Sequence, residues 1–442
     1  MSLRFGMIAD DLTGANDSGI QLKEKGLDTA VYFELPNESS AEAIVIDTDS
    51  RALQENEAYQ ETFKAAEFLK QHGCKHIYKK MDSTLRGYIG KELQAMENAL
   101  NPEFIVIAPA LPAYGRTTVR GSHQLHGEPV SDTELSMDPK HPVKESHLPT
   151  LLKNEIGEEA ALITSDFLNE GVDVQEQSVR KWKENQTKYV VCDAVTTNDL
   201  YEIAKKFQRF SEKVVWAGSA GLAEVLPEVL GIEKEESVTN KHSERGPVLT
   251  VCGSLSQITQ TQVGYAVDQP GIRPLLVRTE EIFSGDWSMK EEGYIEDSVR
   301  SLRNGEDVVL YVPSNIEVRE RVLMEASSLG LSKLEIGKKI SSALGAMTKK
   351  IVEQVKELNS LVLTGGDTAK DVAKSLGATG ISLSYQMEAG IPSGHLLGIE
   401  RPIQVVTKAG AFGKESSIYS AIETLRGVER VDRETSNRYH YG

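Results

Sequence analysis

Short runs of aliphatic and β-branched residues, each closed by a polar or glycine-bearing turn and followed by an amphipathic stretch, recur along the chain. This alternation leaves few folds open. A strand that is apolar throughout needs cover on both faces, and the amphipathic stretches supply it. In the first half, strands are expected at Arg4–Ala9, Thr29–Phe33, Ala43–Asp47, His76–Lys80, Phe104–Ala108, Ala160–Thr164, Tyr189–Cys192 and Val214–Ala217. Helical patterns such as Glu57–Lys70 and Lys91–Leu100 lie between them. In the second half, strands are expected at Val248–Cys252, Arg273–Val277, Asp307–Val312 and Ser360–Thr364, then a strand pair at Thr379–Tyr385 and Pro402–Thr407. Helices there are read at Gln257–Asp268, Glu291–Arg303, Val318–Ser328, Ile336–Leu358, Asp367–Leu376 and Ser416–Leu425. The expected fold class is therefore α/β, with two α/β domains, each a mostly parallel sheet flanked by helices.

A chain of 442 residues exceeds what one core usually organises. The stretch Glu233–Arg245, "EKEESVTNKHSER", is charged and lacks apolar periodicity. It divides the chain into 1–232, a linker at 233–246 that would act as a hinge, and 247–442. Thr118–His147 breaks the rhythm with four histidines and several prolines, and reads as a long functional loop. The tail from Gly427 is polar and reads as frayed.

Composition narrows the class of partner. Apolar content of 39% and charged content of 26% are those of a soluble globular protein. A net charge of -17 disfavours nucleic acid and anionic membranes as partners. No window approaches the roughly 18 apolar residues of a membrane span. No basic and apolar leader opens the chain, so a cytoplasmic location is expected. Cys74, Cys192 and Cys252 are far apart and odd in number, which fits reduced thiols within strands rather than a disulfide or zinc framework.

Open α/β sheets bind ligands where strands end and helices begin. In the first half these ends are rich in charge. "ADDLTGANDSG" places Asp10, Asp11, Thr13, Asn16 and Asp17 after the first strand. "KKMDSTLRG" places Lys80, Asp82, Ser83, Thr84 and Arg86 after another, and "PALPAYGRTTVRG" places Tyr114, Gly115, Arg116, Thr117 and Arg120 after a third. Guanidinium forks suit a carboxylate or phosphate, and ionised aspartates suit hydroxyl donors. A sugar acid offers both. Either aspartate of the adjacent pair could instead cap the helix, and strand alternation would point only one of them at a ligand. Asp47, Asp49 and Arg51 in "VIDTDSR" either complete this site or only pair with neighbours. His123 and His126 have metal-compatible spacing without further ligands of matching type nearby, and read as solvated loop histidines.

The second half has three glycine-bearing strand-to-helix turns: Gly253–Ser254–Ser256, Gly365–Gly366–Asp367–Thr368, and Gly410 to Gly413. Glycine allows close approach, and a helix start offers free N–H groups and a positive dipole end. Together they suit a polyphosphate, although no GxxxxGK[ST] or GxGxxG is present. Asp367 is either a cap or a position for Mg²⁺.

"MIADDLTGANDSG", "KKMDSTLRG", "APALPAYGRTTVRG", "LTGGDTA", "MEAGIPSGHLLG" and "VTKAGAFG" together resemble the four-carbon acid sugar kinase family, from Phe5 to about Leu425. The resemblance implies an ATP-dependent kinase that phosphorylates the terminal 4-hydroxyl of threonate, erythronate or a 3-oxo-tetronate. The N-terminal domain would hold the acid and the C-terminal domain ATP. Nucleotide contacts would fall on Ser254, Gly365, Gly366, Asp367, Thr368 and Gly410, and acid-sugar contacts on Asp10, Asp11, Asp82, Ser83, Arg86, Gly115, Arg116 and Thr117. In that mechanism Arg86 and Arg116 grip the substrate carboxylate while Asp10 or Asp11 binds hydroxyls. Asp11 or Asp82 takes the proton, Lys80 neutralises charge, and Asp367 serves Mg²⁺. The implied partners are the small-molecule acid and ATP, with a homodimer left open. Two rivals stand beside this reading: an NAD(P)-dependent oxidoreductase, disfavoured by the missing dinucleotide fingerprint, and a two-lobed acid-sugar sensor that consumes no ATP.

Overall fold

The structure is a computed structural model that describes residues 3–138, 140–232 and 246–427. The expected linker at 233–246, except Gly246, and the tail beyond Gly427 lie outside the described residues. The chain forms two compact units.

The first unit holds strands β1 (Phe5–Ala9), β2 (Thr29–Tyr32), β3 (Ala43–Asp47), β4 (His76–Lys80), β5 (Phe104–Ala108), β6 (Arg116–Val119), β7 (Ser122–Leu125), β8 (Glu128–Pro129), β9 (Ala160–Ile163), β10 (Tyr189–Cys192) and β11 (Val214–Gly218). Its main sheet runs β2-β3-β1-β4-β11-β5-β10-β9, all parallel. The strands β1, β3 and β5 are buried at every position, which is why they read as unbroken apolar runs.

The connection from β1 to β2 and β3 goes to one side of β1, and β4 returns to the other. The order therefore reverses at β1, and a crevice opens at the carboxyl ends there. Register brings those ends level: Ala9 stands opposite Asp47 of β3 and Lys80 of β4. The residues just beyond them are the acidic pair, the Thr48–Arg51 turn and the Met81–Arg86 loop.

The second unit holds β12 (Val248–Cys252), β13 (Ile272–Leu276), β14 (Asp307–Tyr311), β15 (Ser360–Thr364) and β18 (Gln404–Lys408), in the parallel order β13-β14-β12-β15-β18. Here the reversal falls at β12, and Cys252, Thr364 and Lys408 stand level.

Three expectations need correction. The second domain is not an uninterrupted 247–442: Ala378–Gln386 and Pro392–Gly398 belong to the first unit. There β16 (Gly380–Glu388) adds antiparallel to β2, with Gly380 opposite Tyr32. The partner of β16 in the late strand pair is also different. It is β17 (Ile391–Leu397), joined to it by a turn at Ala389–Gly390, whereas the strand near Pro402 joins β15. Finally, Thr118–His147 is no loop. It contains the small antiparallel sheet β6-β7-β8, tied down by paired backbone bonds between Thr118 and Ala194 (2.9 and 3.1 Å). Its strands are too short, and its turns too rich in glycine and histidine, to show a period of two.

Candidate functional site

At the carboxyl edge of β1, Asp11 has extended backbone and caps the helix Leu12–Glu24, its Oδ1 accepting from Gly14 N at 2.9 Å. Its other oxygen accepts from Arg51 Nη1 at 3.2 Å. The cap and the site role are thus met by the two oxygens of one carboxylate. Arg51 also donates to Asp10 Oδ2 from Nε (3.0 Å) and Nη2 (2.8 Å), and its Nη2 lies 3.9 Å from Asp82 Oδ1. Both members of the acidic pair therefore face one guanidinium, not one as alternation predicted. The pair lies past the last strand residue, so strand alternation does not apply to it.

Arg51 itself comes from a turn built for it. Asp47 Oδ1 accepts from Asp49 N (3.0 Å), and Asp49 adopts a left-handed backbone (φ 52°). Below it, Ser50 donates to the buried Glu92, which pairs with Lys79 Nζ at 3.4 Å. Of the three residues in "VIDTDSR", Arg51 reaches the cluster while Asp47 braces the turn.

The Arg86 guanidinium, expected to grip a ligand, is paired with its own neighbour in the structure. Its fork closes on Asp82, Nε to Oδ2 at 2.8 Å and Nη2 to Oδ1 at 3.2 Å, with Asp138 Oδ2 3.6 Å from Nη1. Arg116 is different. Nη1 donates to Ser83 Oγ at 2.8 Å, and Nε is buried without a hydrogen-bond partner among the described residues. Asp10, 1% exposed, keeps Oδ1 buried and unpartnered in the same way. A buried donor and a buried acceptor left open in one unit are costly unless a ligand or ordered water satisfies them.

Lys80 is buried and donates to Met81 O at 2.9 Å. A point one methyl off Gly14 would lie 2.8 Å from Lys80 Nζ and 2.7 Å from Asp11 Oδ1, so the two groups face one space, and Lys80 acts on Asp11 electrostatically. Asp17, one turn further on, faces Lys80, Asp11 and Arg116 electrostatically.

Protonation separates the carboxylates. Burial raises Asp11 above the usual carboxylate range, against the opposing pull of Arg51. Burial pushes Asp82 the same way, but the Arg51 and Arg86 guanidiniums overcome it and hold Asp82 well below that range. Burial also raises Asp17.

Gly115 ends the turn Pro112–Tyr114 with φ 68°, its Cα against the His126 ring, and so forms the turn. Thr117 lies on β6 opposite Gln124, beside Arg116. His123 is not solvated as its loop setting suggested. It is 0% exposed, its Nε2 donates to Ser83 O (2.9 Å), and its Nδ1 takes the Thr118 hydroxyl (3.0 Å). A carbonyl only accepts, so the proton sits on Nε2. Burial lowers this imidazole to about 4, so it is neutral near pH 7. Among the described residues no three His, Cys, Asp or Glu side chains are placed to share a metal.

In the second unit the three glycine turns converge. Gly365 precedes the helix Gly366–Ser375 with φ 95°, a conformation that side chains resist. A Cβ there would lie 3.5 Å from both Ser254 N and Thr368 Oγ1. A Cβ on Gly410 would run into Ser254 Oγ. Ser256 caps the helix Gln257–Val267, accepting from Thr259 N, and donates to Gly410 O at 2.5 Å. The Ser254 N–H and the Ser254 and Thr368 hydroxyls thus gather beside the glycines, donors of a kind that phosphate oxygens accept. Asp367 stands exposed in the first helical turn. A lone carboxylate suits a metal that arrives on phosphate and keeps its waters, not a protein cage.

Arg51 and His123 carried the weakest sequence signals among these groups. An arginine four residues past a strand's end, and a histidine in an aperiodic stretch, gain meaning only from register and burial. Lys408, also buried at the second cluster, gave no signal beyond its place at a strand end.

Known proteins resemble this chain along nearly its whole length. A family model described as a sugar-binding N-terminal domain matches residues 5–226, and one described as a nucleotide-binding C-terminal domain matches 249–418. A D-threonate kinase of Salmonella typhimurium is 31% identical, over 95% of this chain and 98% of its own. A D-erythronate kinase of Heliobacterium modesticaldum is 28% identical (97% and 98%), and a 3-oxo-tetronate kinase of Brucella melitensis 26% (95% and 95%). A solved Salmonella typhimurium structure, described as a tRNA synthase, superposes with a TM-score of 0.80 at 25% identity over 94% of this chain and 97% of its own. Among the described residues no helix is long and apolar enough to cross a membrane.

Proposed function

Since the chain belongs to the four-carbon acid sugar kinase family, its two matched domains covering most of its length, we propose that it is an ATP-dependent kinase that phosphorylates the terminal 4-hydroxyl of a four-carbon acid sugar. The observation that carries the substrate class is the open pair in the first unit: Arg116 Nε as a buried donor and Asp10 Oδ1 as a buried acceptor. A molecule with an anionic end and hydroxyl donors along its length complements both.

In this reading Arg116 takes the substrate carboxylate. Arg86 contributes mainly by fixing Asp82, and Ser83 aligns Arg116. Asp10 accepts from a hydroxyl. Asp11 is the better proton acceptor, because a raised affinity for the proton suits a base whereas Asp82 is held as a weak one. Lys80, facing the same space as Asp11, offsets negative charge that develops during transfer. Gly115 and Thr117 place Arg116 and line its strand.

The nucleotide falls to Ser254, Gly366, Thr368 and Gly410, through backbone N–H groups and hydroxyls, while Gly365, whose N–H is held by Lys408 O, lets the phosphates approach the backbone closely. Asp367 orients a phosphate-borne Mg²⁺. Mg-ATP supplies the transferable phosphoryl group and the neutralised charge that such a transfer needs.

The test is ADP release with Mg-ATP over a panel of D- and L-threonate, D- and L-erythronate and their 3-oxo forms. Saturable ADP release with at least one member is expected. Tight binding of an acid with no ADP release would favour a sensor, and reduction of NAD or NADP by these acids an oxidoreductase.

A further inference from the structure

A buried lysine in the second unit is left without an anion. Lys408 ends β18 and is 3% exposed. Its Nζ donates to Ala409 O (2.7 Å), Phe412 O (3.1 Å), Gly410 O (3.4 Å) and Thr259 Oγ1 (3.4 Å), all neutral acceptors. Its own carbonyl accepts from Gly365 N at 2.9 Å. Lys408 is thus bonded to two of the three glycine turns.

The groups around it carry no compensating charge. From β12 comes the Cys252 thiol, which burial pushes up to about 11 and so keeps neutral. From the helix Gln257–Val267 come Thr259 and Gln262, whose amide donates to Phe412 O (3.0 Å) and Lys414 O (2.7 Å). Glu388 is engaged by Ser417 Oγ at 2.6 Å, and Asp367 stands exposed on its helix. Among the described residues no carboxylate pairs with Lys408. Burying an ammonium against neutral dipoles alone is costly, and an apolar side chain of similar volume would fill the space at lower cost. The retained charge needs a counter-charge.

We propose that Lys408 is the electrostatic floor of the nucleotide turns, an ammonium that holds the 409–412 segment by its hydrogen bonds and finds its counter-charge in the polyphosphate bound above. This inference rests on the nucleotide reading of these turns and adds a positioning residue to it. It carries a thermodynamic consequence. Burial lowers Lys408 to about 8, so in the free protein the lysine is partly neutral at that pH. A polyphosphate over the turns favours the charged form, so nucleotide binding takes up a proton where the free lysine has lost one.

The experiment is calorimetric titration of the full chain with Mg-ADP at pH 6.5, 8 and 9, each in two buffers of different ionisation enthalpy. Expected uptake is near zero at pH 6.5, about half a proton at pH 8 and approaching one at pH 9. Lys408→Arg, charged throughout, should bind ADP without uptake at pH 8. Lys408→Met should bind about tenfold more weakly at pH 7, also without uptake. Should the methionine variant misfold, the wild-type profile and the arginine variant still decide. Tight ADP binding by wild type with no uptake at pH 8 and 9, or uptake that persists in Lys408→Met, would overturn the inference while leaving the nucleotide reading intact. No ADP binding by wild type at any pH would overturn the nucleotide reading itself, and this inference with it.

Discussion

Arg51 donates to Asp10 Oδ2 from two nitrogens, at 3.0 and 2.8 Å, while Asp10 keeps its other oxygen buried and open. One half of the carboxylate is thereby fixed and the other presented. Arg51→Ala would strand Asp10 in the interior, and breaking one side of such a pair typically costs about 3–5 kcal/mol. A matching loss in the first unit's urea transition is expected. Arg51→Lys keeps the charge but not the fork, so it should recover much of the stability and little of the acid-sugar affinity.

Asp11→Asn removes the proposed base but keeps an oxygen for the Gly14 cap. Turnover should fall by about 10²–10⁴-fold, with ADP affinity unchanged. The wild-type acid limb of kcat/KM should lie above the usual carboxylate range, because burial raises Asp11 and the base works only when deprotonated. Normal turnover by the variant would remove Asp11 from the mechanism.

Asp82 gives an opposite pH signature. Its folded-state proton affinity is depressed by Arg51 and Arg86. Its contribution to stability is therefore present above the unfolded carboxylate value of about 3.9 and is lost as pH falls below it. The difference in urea midpoint between wild type and Asp82→Asn should be largest near neutrality and shrink below about pH 4. A pH-independent difference would contradict the two guanidinium pairings.

Arg116→Lys should raise KM for the acid by about tenfold or more, since a lysine has neither the fork nor a donor at the Nε position. ADP affinity should not move. The converse change is Gly365→Ala, which forces a side chain into φ 95° at a cost of about 1–3 kcal/mol. It should weaken ADP and leave the acid untouched.

Much of this was legible in the sequence. Strands such as Ala43–Asp47 and Phe104–Ala108 are buried on both faces, so their limits fall where apolarity stops. The acidic pair and the Gly365 turn stood at strand ends, where an α/β fold puts ligands. What escaped depended on distance in sequence. Arg86 read as a ligand fork because nothing local shows that Asp82, four residues earlier, turns back to occupy it. Arg51 gained its place from the register of β1, β3 and β4, and His123 from burial under short strands without periodicity. The return of Gly380–Ser382 to β2 joins residues some 350 positions apart, which no local pattern encodes.

In the proposed mechanism the first unit takes the acid sugar and the second the nucleotide. Hydrogen exchange read by mass spectrometry, with each ligand added alone, separates the two assignments. Threonate or erythronate should slow exchange at 10–17, 48–53, 82–87 and 116–118, and a non-hydrolysable ATP analogue at 253–259, 365–369 and 409–413. Protection by the nucleotide at 10–17 and 82–87, with 365–369 exchanging as in the free protein, would contradict that mechanism.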